Sequence, residues 1–374
     1  MQSSDIFVVS DNIFAPLGTT SAGNFAQLKK GLSGVRQHDR PTLSERPFYA
    51  ALFEPLGTEG PVDPYTLFEQ LLIASISDAL RTGGIGPDDK KTILIISTTK
   101  GNISLLEEGI DDSDRLALHR SARLVADHFG FVNTPLIVSN ACISGVLALL
   151  TGMRLIRSGQ FENAVVAGAD IVSRFVLSGF GAFQAISPGP CKPFDEARDG
   201  INLGEGAGTI ILSSRSDYRR GIRIRSGSVS NDANHISAPS RTGEELCQVI
   251  TRSLLGARLR PRDIGFISAH GTATVYNDEM EAKAITLADL PAVPVNSLKG
   301  YYGHTLGAAG LIESIVTLES MRENVVLPSR GFQRNGVTQP LNICTELSYM
   351  PLDHCLKTAS GFGGCNAAVI FSKQ

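Results

Sequence analysis

The sequence predicts an α/β protein built from two related halves, and three observations carry that expectation. Short β-branched runs alternate with longer helical patterns, the order expected of strands joined by crossover helices. After 209–213 the alternation starts again. Two segments also match in kind: TPLIVSNACISGVLALLTGMRLI and AVPVNSLKGYYGHTLGAAGLIESIV each pass from an apolar strand through a polar turn to small residues that open a helix.

Taken along the chain, apolar runs bounded by turn residues predict strands at 92–97 (TILIIS), 136–139 (LIVS) and 164–168 (AVVAG), with a helix over 142–158 before the third. A strand at 209–213 closes the first half. In the second half, strand candidates fall at 222–226, 264–268, 293–296, 355–359 and 368–372, and a helix is expected over 307–322. The halves are placed at 1–215 and 216–374 within one compact unit, and 374 residues are enough to bury a substantial core. Two glycine-rich stretches, GINLGEGAG at 200–208 and GFGGCNAA at 361–368, are expected as loops in which backbone approaches something closely. Gly204, Gly206 and Gly208 lack the GxGxxG spacing and lead into a strand, which argues against a dinucleotide site.

Composition narrows the function classes. Lys and Arg total 34 against 37 Asp and Glu, a net charge of -3, so no nucleic acid or anionic membrane is expected as a partner. The six cysteines contain no CxxC pair, which suggests neither a zinc site nor a disulfide framework. With no basic segment leading an apolar run at the N-terminus and no stretch of about 18 apolar residues, the expectation is a soluble, cytoplasmic protein.

Three residues stand out for chemistry. Cys142 follows a buried strand and opens a helix, where unpaired N–H groups and the helix dipole favour a thiolate. A free cysteine is more often an inert small hydrophobe, and Cys191 and Cys355 are read that way. His270 ends the strand DIGFISA, and His304 lies in GYYGHTLGAAG just before a helix. Both fall where an α/β sheet presents ligands, at carboxyl ends of strands. Lys299 and Glu313 flank His304 and are candidates for an ion pair that holds its loop.

With these residues, the chain resembles the β-ketoacyl-acyl carrier protein synthases of the Cys-His-His type. The resemblance covers most of the length: APLGTTSAGNFAQLKKGLSGV near the start, NACISG, CKPFDEARDGINLGEGAG, AHGTATVYNDEMEA, NSLKGYYGHTLGAAGLIE and GFGGCNA. It implies a duplicated thiolase-like fold in five αβαβα layers, usually a homodimer, or a heterodimer with a homologous ketosynthase-like subunit. It implies Cys142 as nucleophile, His270 and His304 as catalytic histidines and Lys299 as the site's lysine. Asp278, Glu281 and Glu313 correspond to carboxylates that support the site, Thr272 and Thr274 to pantetheine contacts, and Phe362 to a gate. The oxyanion donors fall on the N–H groups of Cys142 and Phe362.

The reaction implied is decarboxylative Claisen condensation of an acyl thioester with malonyl-acyl carrier protein, in fatty-acid or polyketide-like synthesis. No metal or redox cofactor is expected, since the substrates ride on the carrier's phosphopantetheine. The chain departs from the family in the segment 101–129, which is shorter than its counterpart, at Ser360 and Cys365 of the last motif, and in its docking helix. Where a basic docking helix is usual it reads GPVDPYTLFEQLL, with Asp63 and Glu69 and no Lys or Arg between 62 and 80, so carrier docking is expected at other cations, first Arg198 or the pair Arg120 and Arg123. Two rival readings are a degradative thiolase using Cys365 as a second cysteine, and a catalytically silent subunit resembling a chain-length factor.

Overall fold

Each half of the chain folds five strands into the same order. The first half contributes β1 (Ile6–Phe14), β2 (Thr92–Ser97), β3 (Leu136–Val138), β4 (Asn163–Asp170) and β5 (Gly206–Ser213). The second contributes β6 (Arg223–Asn231), β7 (Phe266–Ser268), β8 (Val295–Asn296), β9 (His354–Gly361) and β10 (Cys365–Ser372). Counted within its half, each set lies third, second, fourth, fifth, first, with parallel and antiparallel pairings matching throughout. The sets meet where Phe7 and Ile6 pair antiparallel with Arg223 and Ile224. This computed structural model describes residues 5–54, 64–109, 113–218, 221–233 and 238–373.

Helices cover the strands in layers. On the outer side of the first half lie α1 (Leu67–Gly83) and α2 (Leu118–Phe129). Two helices, α3 (Ser144–Arg157) and α7 (Ala309–Glu323), pack against strands of both halves and form the middle layer. A shorter helix, α4 (Arg174–Ala182), follows β4, and α5 (Glu244–Ala257) and α6 (Val275–Leu287) cover the outer side of the second half. Because both faces of the central strands are covered, their sequences are apolar throughout and do not alternate. In β2, Ile93 and Ile95 enter the middle core while Leu94 and Ile96 enter the outer one; in β10, Val369 and Phe371 face inward and Ala368 and Ile370 outward.

The middle layer decides where the chemistry sits. Every residue of α7 from Ala309 to Met321 is buried, and Ser314 and Thr317 return their hydroxyls to carbonyls one turn back, at 2.6 and 2.8 Å. The two middle helices cross at glycines. A Cβ on Gly145 would lie 2.7 Å from the Leu311 nitrogen, and one on Gly310 would lie 2.7 Å from the Val146 nitrogen. Their N-terminal ends, which follow Cys142 and His304, are thereby brought together. Gly310→Ala is expected to force the helices apart at a cost of about 1–3 kcal/mol, seen as a lowered urea midpoint. An unchanged midpoint would mean that the crossing is looser than these contacts.

Three expectations needed revision, the first being the stretch 361–368, expected as a loop, of which only 362–364 is a turn between β9 and β10. The strand β1 was not anticipated, because Ser10, Asp11 and Asn12 interrupt its apolar run. In the fold Ser10 donates to Ala79 O at 2.7 Å and Asn12 to Asp78 at 2.8 Å, which ties the polar stretch to α1. The stretch 200–208, expected as a loop, is largely strand: Leu203–Gly204 is a short strand and Gly206 opens β5. The close approach expected there is real. It is to the protein itself, since a Cβ on Gly204 would lie 1.9 Å from the Tyr302 carbonyl oxygen.

Candidate active site

A sharp turn sets Cys142. Leaving β3, the chain places Ala141 at φ +44°, a left-handed conformation that costs a residue with a Cβ roughly 1–2 kcal/mol. Ser144 holds the turn, donating its hydroxyl to Ala141 O at 2.6 Å and accepting from the Asn140 N–H at 2.8 Å. Cys142 stands two residues ahead of α3 and is 8% exposed. Burial pushes its thiol up to about 12; Cys365 adds to the rise, while Lys299 and the Phe362 backbone N–H oppose it. The resting group is therefore a neutral thiol. This departs from the thiolate expected at a helix N-terminus, because desolvation outweighs the stabilisation available there.

His270 follows β7, and His304 follows the short helix Lys299–Tyr302. Their rings meet edge to face with centroids 5.2 Å apart, and one ligand atom from each lies with Cys142 Sγ in a group no more than 4.8 Å across. Burial first and Lys299 second hold both imidazoles well below their ordinary value; His304 and then Lys357 add to this at His270, and Lys357 adds to it at His304. Both are neutral near pH 7, each able to donate one ring N–H and accept at the other nitrogen. Nδ1 of His270 and both ring nitrogens of His304 have no hydrogen-bond partner among the described residues. A cysteine and two histidines this close could in principle bind a soft divalent metal. Two buried ammonium groups close behind them, both acting on the imidazoles, disfavour a dication.

Those ammonium groups belong to Lys299 and Lys357, both fully buried. Lys299 pairs with Glu313, as expected, and donates to the His270 carbonyl at 3.0 Å. Lys357 of β9, which nothing in the sequence singled out, pairs with the other Glu313 oxygen at 2.8 Å. Glu281 accepts the His270 and Gly271 N–H groups, each at 2.8 Å, and the Thr358 hydroxyl at 2.6 Å. Asp278, pushed up to about 6 by burial, accepts from the Thr272 N–H at 2.9 Å and the Phe194 N–H at 2.7 Å. Gly271 has φ +44°, and a Cβ there would lie 2.5 Å from the Ser297 Cβ, so only glycine fits the turn.

A cavity of about 400 Å³ leads to Cys142, His270 and His304. Thr272 and Thr274, their hydroxyls 2.8 Å apart, line it. So does Phe362, whose ring stacks on Phe180 at 5.6 Å and meets Phe183 at 5.4 Å. Phe180 in turn contacts the His304 ring edge to face at 6.5 Å. Sequence reasoning missed Phe180 and Phe183; their spacing in FGAF was the available signal. A Cβ on Gly361 would lie 2.9 Å from the Cys142 nitrogen, so the glycine lets the 361–362 backbone approach Cys142. Cys365 is buried, with its thiol directed to the Phe362 carbonyl at 3.4 Å.

The expected docking groups are distributed differently. Glu69 is no surface charge: it is fully buried on α1, accepting from Thr66 N–H, Asn102, Ser121 and Arg115 at 2.9–3.0 Å. Asp63 lies outside the described residues. Arg198 donates to the carbonyls of Asp195 at 3.0 Å, Gly336 at 2.5 Å and Val275 at 3.4 Å, tying together loops at the edge of the cavity. Arg120 and Arg123 sit on α2, ion-paired with Asp114 at 2.6 Å and Asp127 at 3.0 Å.

Comparison with known proteins gives the family. The family described as "Beta-ketoacyl synthase, N-terminal domain" matches residues 62–218, and "Beta-ketoacyl synthase, C-terminal domain" matches 222–333. The chain is 27% identical to the putative mitochondrial 3-oxoacyl-[acyl-carrier-protein] synthase of Schizosaccharomyces pombe, over 96% of each chain. It is 27% identical to 3-oxoacyl-[acyl-carrier-protein] synthase 2 of Vibrio cholerae over the full length of both. Among solved structures, the ishigamide ketosynthase/chain length factor superposes over 100% of both chains with a TM-score of 0.91 at 25% identity.

Proposed function

The chain belongs to the β-ketoacyl synthase family, and from that premise we propose that it condenses an acyl thioester carried on Cys142 with malonyl-acyl carrier protein. The observation that carries this reading is the convergence of Cys142, His270 and His304 at the end of one cavity. In the first half-reaction the Cys142 proton passes to a neighbouring neutral imidazole. The thiolate attacks the acyl carbonyl, the N–H groups of Cys142 and Phe362 hold the oxyanion, and the expelled carrier thiolate recovers the proton.

In the second half-reaction the bond from the malonyl α-carbon to its carboxylate breaks and carbon dioxide leaves. The electron pair forms an enolate, whose oxygen is held by the ring N–H groups of His270 and His304. The α-carbon attacks the acyl group, the bond to Cys142 breaks, and the departing thiolate takes a proton from solvent. The product is longer by two carbons. This sequence calls on no metal or redox cofactor: the substrates arrive on phosphopantetheine, whose arm we assign to the wall bearing Thr272 and Thr274.

The two rivals fit less well. A silent partner subunit has no use for a cysteine set beside two histidines whose ring nitrogens are largely free of hydrogen-bond partners among the described residues. A degradative thiolase needs its second cysteine facing substrate, whereas Cys365 points to the carbonyls of Phe362 and Asn140. As the pairing partner we assign a second copy or a homologous subunit. Among the described residues no helix is long and apolar enough to cross a membrane. Incubated with acyl carrier and malonyl carrier, the purified protein is expected to release one carbon dioxide per β-ketoacyl product. Hydrolysis to free acid without a longer product would exclude the condensing role.

A further inference from the structure

Three successive carbonyls at the end of β7, those of Ser268, Ala269 and His270, are each taken by a buried lysine. Lys357 Nζ donates to Ser268 O and Ala269 O, both at 3.2 Å, and to Thr358 O at 2.6 Å; Lys299 takes His270 O. The two lysines also bracket one carboxylate, with Lys299 on Glu313 Oε1 and Lys357 on Oε2. Among the described residues, every hydrogen-bond or ion-pair partner of Lys357 is an acceptor. A neutral amine would turn its lone pair toward one of these oxygens, so the geometry calls for the ammonium form even though burial lowers its proton affinity.

From this arrangement, and resting on the condensing-enzyme reading above, we infer that Lys357 is a positioning residue for decarboxylation: with Lys299 it clamps Glu313 and the strand end bearing His270, and it supplies a second buried cation behind the paired imidazoles. The charged and titratable groups facing those imidazoles are Lys299 from the short helix, Lys357 from β9, Glu313 from α7, Glu281 and Asp278 from α6, and Cys142 before α3. Asp170, at the end of β4, reaches the same region through the Gly307 N–H at 2.6 Å. Glu313 is held by both lysines, and Glu281 and Asp278 by backbone N–H groups, so the field that reaches the imidazoles comes from Lys299 and Lys357. That field disfavours imidazolium and favours the enolate.

The role predicts an effect on the two half-reactions that loss of packing alone would not produce. Lys299 acts on the Cys142 thiol, whereas the contacts of Lys357 are to the strand end bearing His270, to Thr358 O and to Glu313. Lys357→Met should therefore leave the rate of Cys142 alkylation by iodoacetamide unchanged. Carbon dioxide release from malonyl carrier should lose its activity at higher pH than in the parent. With one cation gone both histidines protonate more readily, so the acid limb moves up by about one pH unit. Lys357→Arg keeps the charge but not the fit: its limb should stay in place while its plateau rate falls.

A Lys357→Met enzyme with the parent's limb and plateau overturns the proposal, as does slowed alkylation accompanied by an unshifted limb. Should the Met variant fail to fold, Lys357→Arg decides alone, and a parental plateau overturns the positioning role. Failure of the parent protein to release carbon dioxide from malonyl carrier would defeat the condensing reading itself, whatever Lys357 does.

Discussion

Alanine at His270 or His304 is expected to slow carbon dioxide release from malonyl carrier by at least about 10²-fold while Cys142 still accepts an acyl group at a measurable rate. On the proposed mechanism the enolate forms where two neutral imidazoles converge, and among the described residues Nδ1 of His270 and both ring nitrogens of His304 have no hydrogen-bond partner. Acyl transfer has other support: the oxyanion is met by backbone N–H groups, and either remaining histidine can take the thiol proton. The half-reactions should thus separate, and a stopped-flow assay of each distinguishes them. Decarboxylation at the parent's rate in either variant would remove the roles assigned to the pair. The same chemistry sets a pH trend. Both imidazoles sit well below their ordinary value, so decarboxylation should persist through pH 6.5, where an unperturbed histidine would be half protonated.

The second large effect is expected at the nucleophile. Cys142→Ala should lower condensation by about 10³-fold or more, since no other thiol is placed to carry the acyl group. Cys365 is the nearest alternative, and it is buried against the backbone carbonyls of Asn140 and Phe362. Carbon dioxide release should continue in this variant, because the histidines and the lysine network are untouched. Loss of decarboxylation together with condensation would show that the thiol takes part in forming the enolate. Undiminished condensation would move the nucleophile elsewhere.

Much of this was legible in the sequence, for reasons that particular residues make clear. Strands β2, β4 and β10 announce themselves as continuous apolar runs because both of their faces are covered. The matching turns before α3 and α7 revealed the duplication because each must deliver a polar group to the same place. The histidines and Cys142 were visible because glycines and strand ends mark them. What stayed hidden depended on packing across the middle layer. Lys357 sits in HCLKTASG, where alternation gives no reason to bury a lysine; only the fold brings Glu313 and three strand-end carbonyls to it. Glu69 was placed with the docking helix because it falls where the family carries that helix, yet Asn102, Ser121 and Arg115 converge on it from distant segments. The resting protonation of Cys142 likewise turns on burial.

On the proposed mechanism Cys142 carries the acyl group and surrenders it to a carbanion made beside it. Mass spectrometry of the peptide containing Cys142, recorded after mixing with acyl carrier and again after adding malonyl carrier, tests this in one experiment. The account predicts an acyl adduct on Cys142 that disappears as β-ketoacyl carrier forms in equal amount. An adduct on another cysteine, or one on Cys142 that persists while product accumulates, would contradict it.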